Sequence, residues 1–176
     1  VQVVLVPKGS GGERPISLFR SFARVAAKLC AAQSHGWLAA CGPEWSNVRS
    51  GRRVGDAAWR TQLKAAAWSS AGGFSTEVAV DLAKAFEAVL RPVLIDEALL
   101  MGYPTDALLL AIDMYGHQRH LVFRQCVSEP LAPARGIAAG SAFATSELWL
   151  IVAGSIGRLA RRFPPITWCM HVDDLS

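Results

Sequence analysis

Cysteine is scarce and scattered: Cys30, Cys41, Cys126 and Cys169 form no C-x-x-C pair and have no histidine pattern nearby. That spacing indicates neither a zinc site nor a disulfide framework, and leaves reduced, intracellular thiols as the expectation. Long apolar runs are missing as well. The longest, around Leu148 to Ile156, is flanked by Ser146, Glu147 and Arg158 and falls short of a membrane span. Charge is thin, at 18% of 176 residues against 52% hydrophobic, so disorder is not expected. The length suits one domain or two tightly joined lobes with a sizeable core. There is no internal repeat or low-complexity segment. No Met opens the chain and no closing element follows Asp174, so the sequence reads as an excised segment in which targeting signals cannot be judged.

The charge that is present is unevenly placed. Behind a net +4, residues 1–70 hold ten Lys/Arg against Glu13, Glu44 and Asp56, about +7, while the remainder holds eight against eleven acids, about −3. A basic front beside an acidic back suits a polyanion held by one part and metal-assisted chemistry done by the other. A merely solvated basic surface is the plainer alternative.

Two adjacent acids, Asp173 and Asp174, close the apolar segment that begins at Ile166. Like charges that close repel, so taken alone they read as a solvent-exposed turn. A second acid reverses that preference. Alternation from Phe74 to Leu82 places Val78, Val80 and Leu82 on one face and Glu77, Ala79 and Asp81 on the other. From Ile166 to Asp173 the same period buries Ile166, Trp168, Met170 and Val172 and opens Thr167, Cys169, His171 and Asp173. If the two strands are neighbours in a sheet backed by helices, Asp81 and Asp173 converge with Asp174 beside them. Such an oxygen cage suits Mg²⁺ and two-metal phosphoryl transfer.

Taken in order, Val1 to Val6 reads as a strand, and Gly9-Ser10-Gly11-Gly12 as a mobile turn into Arg14-Pro15-Ile16-Ser17. Lys8 and Arg14 flank this hairpin tip, placed to close over a triphosphate. From Leu18 to about Ser34, Phe22, Val25 and Leu29 make a helical apolar stripe, with Arg20, Arg24 and Lys28 on another face and Gly36 as the stop. Arg49, Arg52 and Arg53 lie in a Ser/Gly-rich loop. Asp56 then caps a helix carrying Trp59, Arg60, Leu63 and Lys64. Tryptophans among arginines can stack bases, although core packing is their commoner role.

The chain is helical again through Lys84-Ala85-Phe86, and Pro92 begins a helix ended by Gly102 and Pro104. Thr105 to Tyr115 is a short helix closed by Gly116, and His120 to Val127 reads as one strand, followed by a proline-containing loop over Glu129 to Pro133. Gly136 and Gly140 precede Ser141, read as the N-cap of a helix running to Phe163, with Leu148, Val152, Ile156, Leu159 and Phe163 on one face. Pro164-Pro165 ends it.

With these elements in order, the chain resembles the reverse-transcriptase family over nearly all its length, most closely the non-LTR, LINE-type retrotransposon polymerases. Val4-Leu5-Val6-Pro7-Lys8 with Arg14-Pro15-Ile16-Ser17-Leu18 is similar to the family's "L-I-P-K … R-P-I-S-L". Asp81-Leu82-Ala83-Lys84-Ala85-Phe86 is similar to "D-x-x-K-A-F", Arg135 to Ser141 to "R-G-V-P-Q-G-S", and His171 to Asp174 to "Y-A-D-D". Ala138-Ala139 stands where the family has Pro-Gln, and His171 where it has an aromatic residue.

The resemblance implies an α+β right-hand polymerase, fingers mainly in 1–75 and an antiparallel palm sheet backed by helices mainly in 76–176, with no thumb. It implies RNA-templated addition of dNTPs to a nucleic-acid primer, with two Mg²⁺ ions (Mn²⁺ can substitute) held by Asp81, Asp173 and Asp174. Lys8, Arg14, Phe86, Ala139 and Gly140 would meet the nucleotide, Phe86 as the gate against a 2′-hydroxyl. Arg20, Arg24, Lys28, Arg49, Arg52 and Arg53 would meet nucleic acid. The family further implies a retroelement product working inside the cell, in the nucleus for a eukaryotic element, without a membrane partner. The returning strand of the catalytic hairpin is expected after Ser176, so that Asp173 and Asp174 sit at a fraying end and the segment alone polymerises poorly. Two alternatives remain: a catalytically decayed domain that binds RNA or acts as a scaffold, and an RNA-copying RNA polymerase.

Overall fold

The structure is a computed structural model that describes residues 1–7, 9, 11–42, 46, 54–164, 166, 168–171 and 174–175. It is a mixed α+β fold with two small sheets. The valine-rich start forms β1 (Gln2–Pro7) and returns as β2 (Glu13–Leu18), with Val4 opposite Ile16, as the hairpin reading expects. Next come α1 (Ser21–Cys41), α2 (Val54–Ser70), β3 (Val80–Asp81), α3 (Ala85–Ala88), α4 (Arg91–Leu100) and α5 (Thr105–Gly116). The chain closes with β4 (His120–Phe123), β5 (Cys126–Val127), α6 (Ala144–Arg162), β6 (Met170–His171) and β7 (Asp174–Leu175).

The first sheet has strand order β2-β1-β4-β5, antiparallel except where β1 lies parallel to β4. The Val1 ammonium donates to the Gln118 carbonyl at 2.9 Å, and the His120 N–H to the Val1 carbonyl at 2.9 Å, tying the two distant segments together. The second sheet, order β3-β7-β6, is antiparallel. Its anchor is Met170, 1% exposed within the main core.

That core lies among α1, α4, α5 and α6 around Leu94, Tyr115, Phe143, Trp149 and Leu150, all at or below 1% exposure. Trp37 meets Tyr103 and Trp149 edge-on at centroid distances of 5.1 and 5.5 Å, a geometry the ring quadrupoles favour. Its indole N–H donates to the Met101 carbonyl at 3.1 Å.

Several expectations are corrected. The apolar stripe of α1 faces solvent: Phe22 is 86% exposed and Leu29 74%, while Ala27, Ala31, Ser34 and Leu38 are buried. α1 packs on α5, whose buried residues are Ala107, Leu108, Ala111, Met114 and Tyr115. Gly36 does not stop α1, because one glycine inside a helix costs only about 1 kcal/mol; the end comes at Gly42. Asp56 lies inside the first turn of α2 instead of capping it.

The strand expected over Phe74 to Leu82 shrinks to β3, with Phe74 and Val78 exposed; of the one expected over Ile166 to Asp173, the described residues form β6, and Thr167, Val172 and Asp173 lie outside them. Period-2 alternation cannot hold the first of these as a strand, because its apolar face meets no core. His120 to Val127 is a hairpin, turning at Arg124 with φ +54. Such a turn normally signals itself by Gly or Asn, and none is present. α6 starts at Ala144, three residues beyond Ser141, though the Ser141 hydroxyl still accepts the Phe143 N–H at 3.2 Å. A returning strand already exists within the chain, as β7. Ser146 and Glu147, read as a polar flank, are 3% and 0% exposed. Among the described residues no helix is long and apolar enough to cross a membrane.

Candidate functional site

The second sheet carries the acids. Asp81 in β3 stands opposite Asp174 in β7, and Asp174 stands opposite His171 in β6, so the three occupy one row across the sheet. Directly opposed α-carbons in an antiparallel ladder are about 5 Å apart. Asp81 is exposed to solvent. Asp173 and Val172, between β6 and β7, lie outside the described residues. Among the described residues no three His, Cys, Asp or Glu side chains gather as a metal cluster.

Past Asp81 the backbone turns through Lys84, at φ 52 and ψ 40, one of two non-glycine residues with positive φ among the described residues. That turn sets α3, whose Phe86 is half-buried against the core. The segment from Arg135 to Gly140 is fastened onto α3. The Gly136 N–H donates to the Val89 carbonyl at 2.8 Å and the Ile137 N–H to the Phe86 carbonyl at 2.9 Å. Arg91 donates through Nε to the Gly136 carbonyl at 3.1 Å and through Nη2 to the Arg135 carbonyl at 3.3 Å. Gly136 is required here: its φ is +84, and an added β-carbon would stand 3.0 Å from the Glu87 carbonyl oxygen.

Beyond this clamp Ile137 and Ala138 are buried, Ala139 is half-buried and Gly140 is exposed at φ +94. The Ser17 carbonyl of β2 is 3.6 Å from where a Gly140 β-carbon would be. The fold thus brings Phe86, Ala139 and Gly140 onto one loop-on-helix unit beside β2. Arg14 is exposed on β2, opposite Val6, whereas Lys8 lies outside the described residues. Arg20, Arg24 and Lys28 are exposed along the start of α1. Arg49, Arg52 and Arg53 lie outside the described residues. A cleft of about 480 Å³ at the hairpin, lined by Gly12, Glu13 and Arg124 among others, and an apolar groove of about 340 Å³ beside Leu82 and Ala83 are both formed without Asp81.

Sequence reasoning missed the groups that hold the loop. Arg91 is one; burial lowers its guanidinium pKa and Tyr115 raises it. Arg119 is another half-buried cation, lowered by burial and then by Arg91, with Nη2 unpartnered among the described residues. The third group is a buried chain in which Tyr115 reaches Glu147 Oε2 at 2.6 Å and Ser141 Oγ at 3.0 Å. Burial pushes the Glu147 carboxyl up to about 7, opposed by the Tyr115 hydrogen bond, and pushes the Tyr115 phenol well above its ordinary range, with Glu147 adding to the rise. The available signal was Glu147 four residues after Phe143 and three before Leu150, an acid set into an apolar helical stripe. No protein-family model matches the chain, and no curated protein sequence matches it either.

Proposed function

We propose that the chain is the fingers and palm part of a reverse transcriptase, carrying out RNA-templated DNA synthesis by two-metal nucleotidyl transfer. The observation that supports it most is the register that sets Asp81 opposite Asp174 across adjacent strands. Carboxylates are hard oxygen donors, and two at facing backbone positions, with Asp81 exposed to solvent, fit a hard divalent cation. Asp81, Asp173 and Asp174 would hold Mg²⁺, which when bound activates the primer 3′-hydroxyl and steadies the pyrophosphate leaving group. Arg14, with Lys8, would bind the triphosphate. Gly140, lacking a β-carbon, lets the loop backbone approach the incoming nucleotide. Phe86, fixed at the head of α3, would exclude a 2′-hydroxyl.

Primer extension on an RNA template with dNTPs and Mg²⁺ tests this, run with the parent polymerase extended through its thumb and with its Asp81→Asn version. Extension that disappears in Asp81→Asn is the expected result. Equal extension by both would remove Asp81 from the chemistry. The Ala138-Ala139 pair favours the RNA-binding or scaffold reading, since Ala138 is buried and Ala139 offers no amide to a nucleotide. Restored extension in Ala139→Gln would mark a polymerase that has decayed at its pocket; RNA binding without Mn²⁺ binding or extension would mark a scaffold. Incorporation of ribonucleotides as readily as deoxynucleotides by the wild type would remove the gate role from Phe86 and favour an RNA polymerase.

A further inference from the structure

The segment bearing Ala139 and Gly140 is held at both ends by different means. At its start the clamp is backbone and Arg91. At its end it is Ser141, whose hydroxyl accepts the Phe143 N–H at 3.2 Å and meets the Tyr115 phenol at 3.0 Å, while that phenol meets Glu147 at 2.6 Å. Glu147 is fully buried, and its Oε1 has no partner among the described residues. A carboxyl in that position costs stability, and the proposed chemistry does not use it.

Proton counting gives the chain a direction. Tyr115 has one hydroxyl proton and two neighbours. With Glu147 ionised, the phenol donates to Oε2, so Ser141 must donate to the phenol. With Glu147 protonated at Oε2, the carboxyl donates to the phenol and the phenol to Ser141, whose own proton is then released from the pair. The proton comes from solvent and forms the Oε2–H bond; no other covalent bond changes, and the Tyr115 and Ser141 hydroxyls reverse the direction in which they donate.

We propose that Glu147 is a positioning residue for the nucleotide loop, acting through Tyr115 to orient the Ser141 hydroxyl and with it the backbone at Gly140. This rests on the reading of Ala139 and Gly140 as nucleotide contacts. The other titratable groups that bear on the pair are Tyr103 on the α4–α5 connection, whose phenol meets Ser34 and Ser146, and the cations Arg91 and Arg119, whose pKa values Tyr115 raises. With Glu147 poised near neutrality, reversal falls between about pH 6 and 8.

The test follows the amide resonances of Gly140, Ser141 and Phe143 by NMR across that range in the full chain, in Glu147→Gln and in Tyr115→Phe, with dNTP·Mg²⁺ affinity measured in parallel. In the wild type the three amides move with a midpoint near 7. In Glu147→Gln they are flat while the rest of the spectrum is retained, which separates Glu147 from the histidines. Tyr115→Phe uncouples the amides and weakens dNTP binding about tenfold. Amides that do not move in the wild type, or still move in Glu147→Gln, overturn the proposal. Amides that move as expected in a chain without dNTP affinity would leave the coupling standing and remove the nucleotide reading instead.

Discussion

Burial of Glu147 couples folding to proton binding. Glu147 has a folded pKa of about 7 against an ordinary 4.5, caused chiefly by loss of hydration. The folded state therefore holds the proton more tightly than the unfolded one. The stability that Glu147 contributes is greatest below about pH 4.5, falls as pH rises towards 7 and levels off above, a change of about 3 kcal/mol. Urea titrations of the wild type and Glu147→Gln from pH 4 to 8 should show the wild type losing ground to the variant with rising pH. A constant difference would mean that Glu147 titrates normally. Glycine gives a second contrast at this scale. Gly72 and Gly136 both have positive φ, but an added β-carbon meets nothing at Gly72 and the Glu87 backbone at Gly136. Gly72→Ala should cost about 1 kcal/mol and Gly136→Ala about 2–3, read from denaturation midpoints.

At the scale of elements, α1 shows how far amphipathic pattern reaches. Periodicity identified a helix there, and a helix is found. It did not identify which face turns inward, because that is decided by where α5 and α6 pack, and they cover the face of Ala27, Ala31, Ser34 and Leu38 instead of that of Phe22 and Leu29. Phe22→Ser should consequently change stability by less than about 0.5 kcal/mol, whereas Leu38→Ala should cost about 2–5. Comparable losses for the two would mean that the stripe faces inward after all. The same limit explains Glu147: local pattern marks it as out of place, but only the approach of α5 supplies the phenol that accommodates it. The β4–β5 hairpin was illegible for another reason, since its Arg124 carries positive φ without the residue type that announces it.

For the whole molecule, the exposed cations of α1 belong to the proposed nucleic-acid surface. Replacing Arg20, Arg24 and Lys28 with glutamine should lower the slope of log affinity against log salt for single-stranded RNA by about 2, from three phosphate contacts at about 0.7 each. An unchanged slope would assign that row to solvent. Much of this organisation was legible in one dimension. The N-terminal hairpin, the helices punctuated by Pro92, Gly102, Pro104 and Pro164, and the acids at Asp81 and Asp174 all follow from local stereochemistry and residue type, which act within a few positions. The pairing of Asp81 with Asp174, the parallel union of β1 with β4, the clamp of Gly136 and Ile137 on α3 and the Ser141–Tyr115–Glu147 chain were decided only by tertiary structure. Each joins residues far apart in sequence, and its energy depends on burial and register that no local pattern encodes.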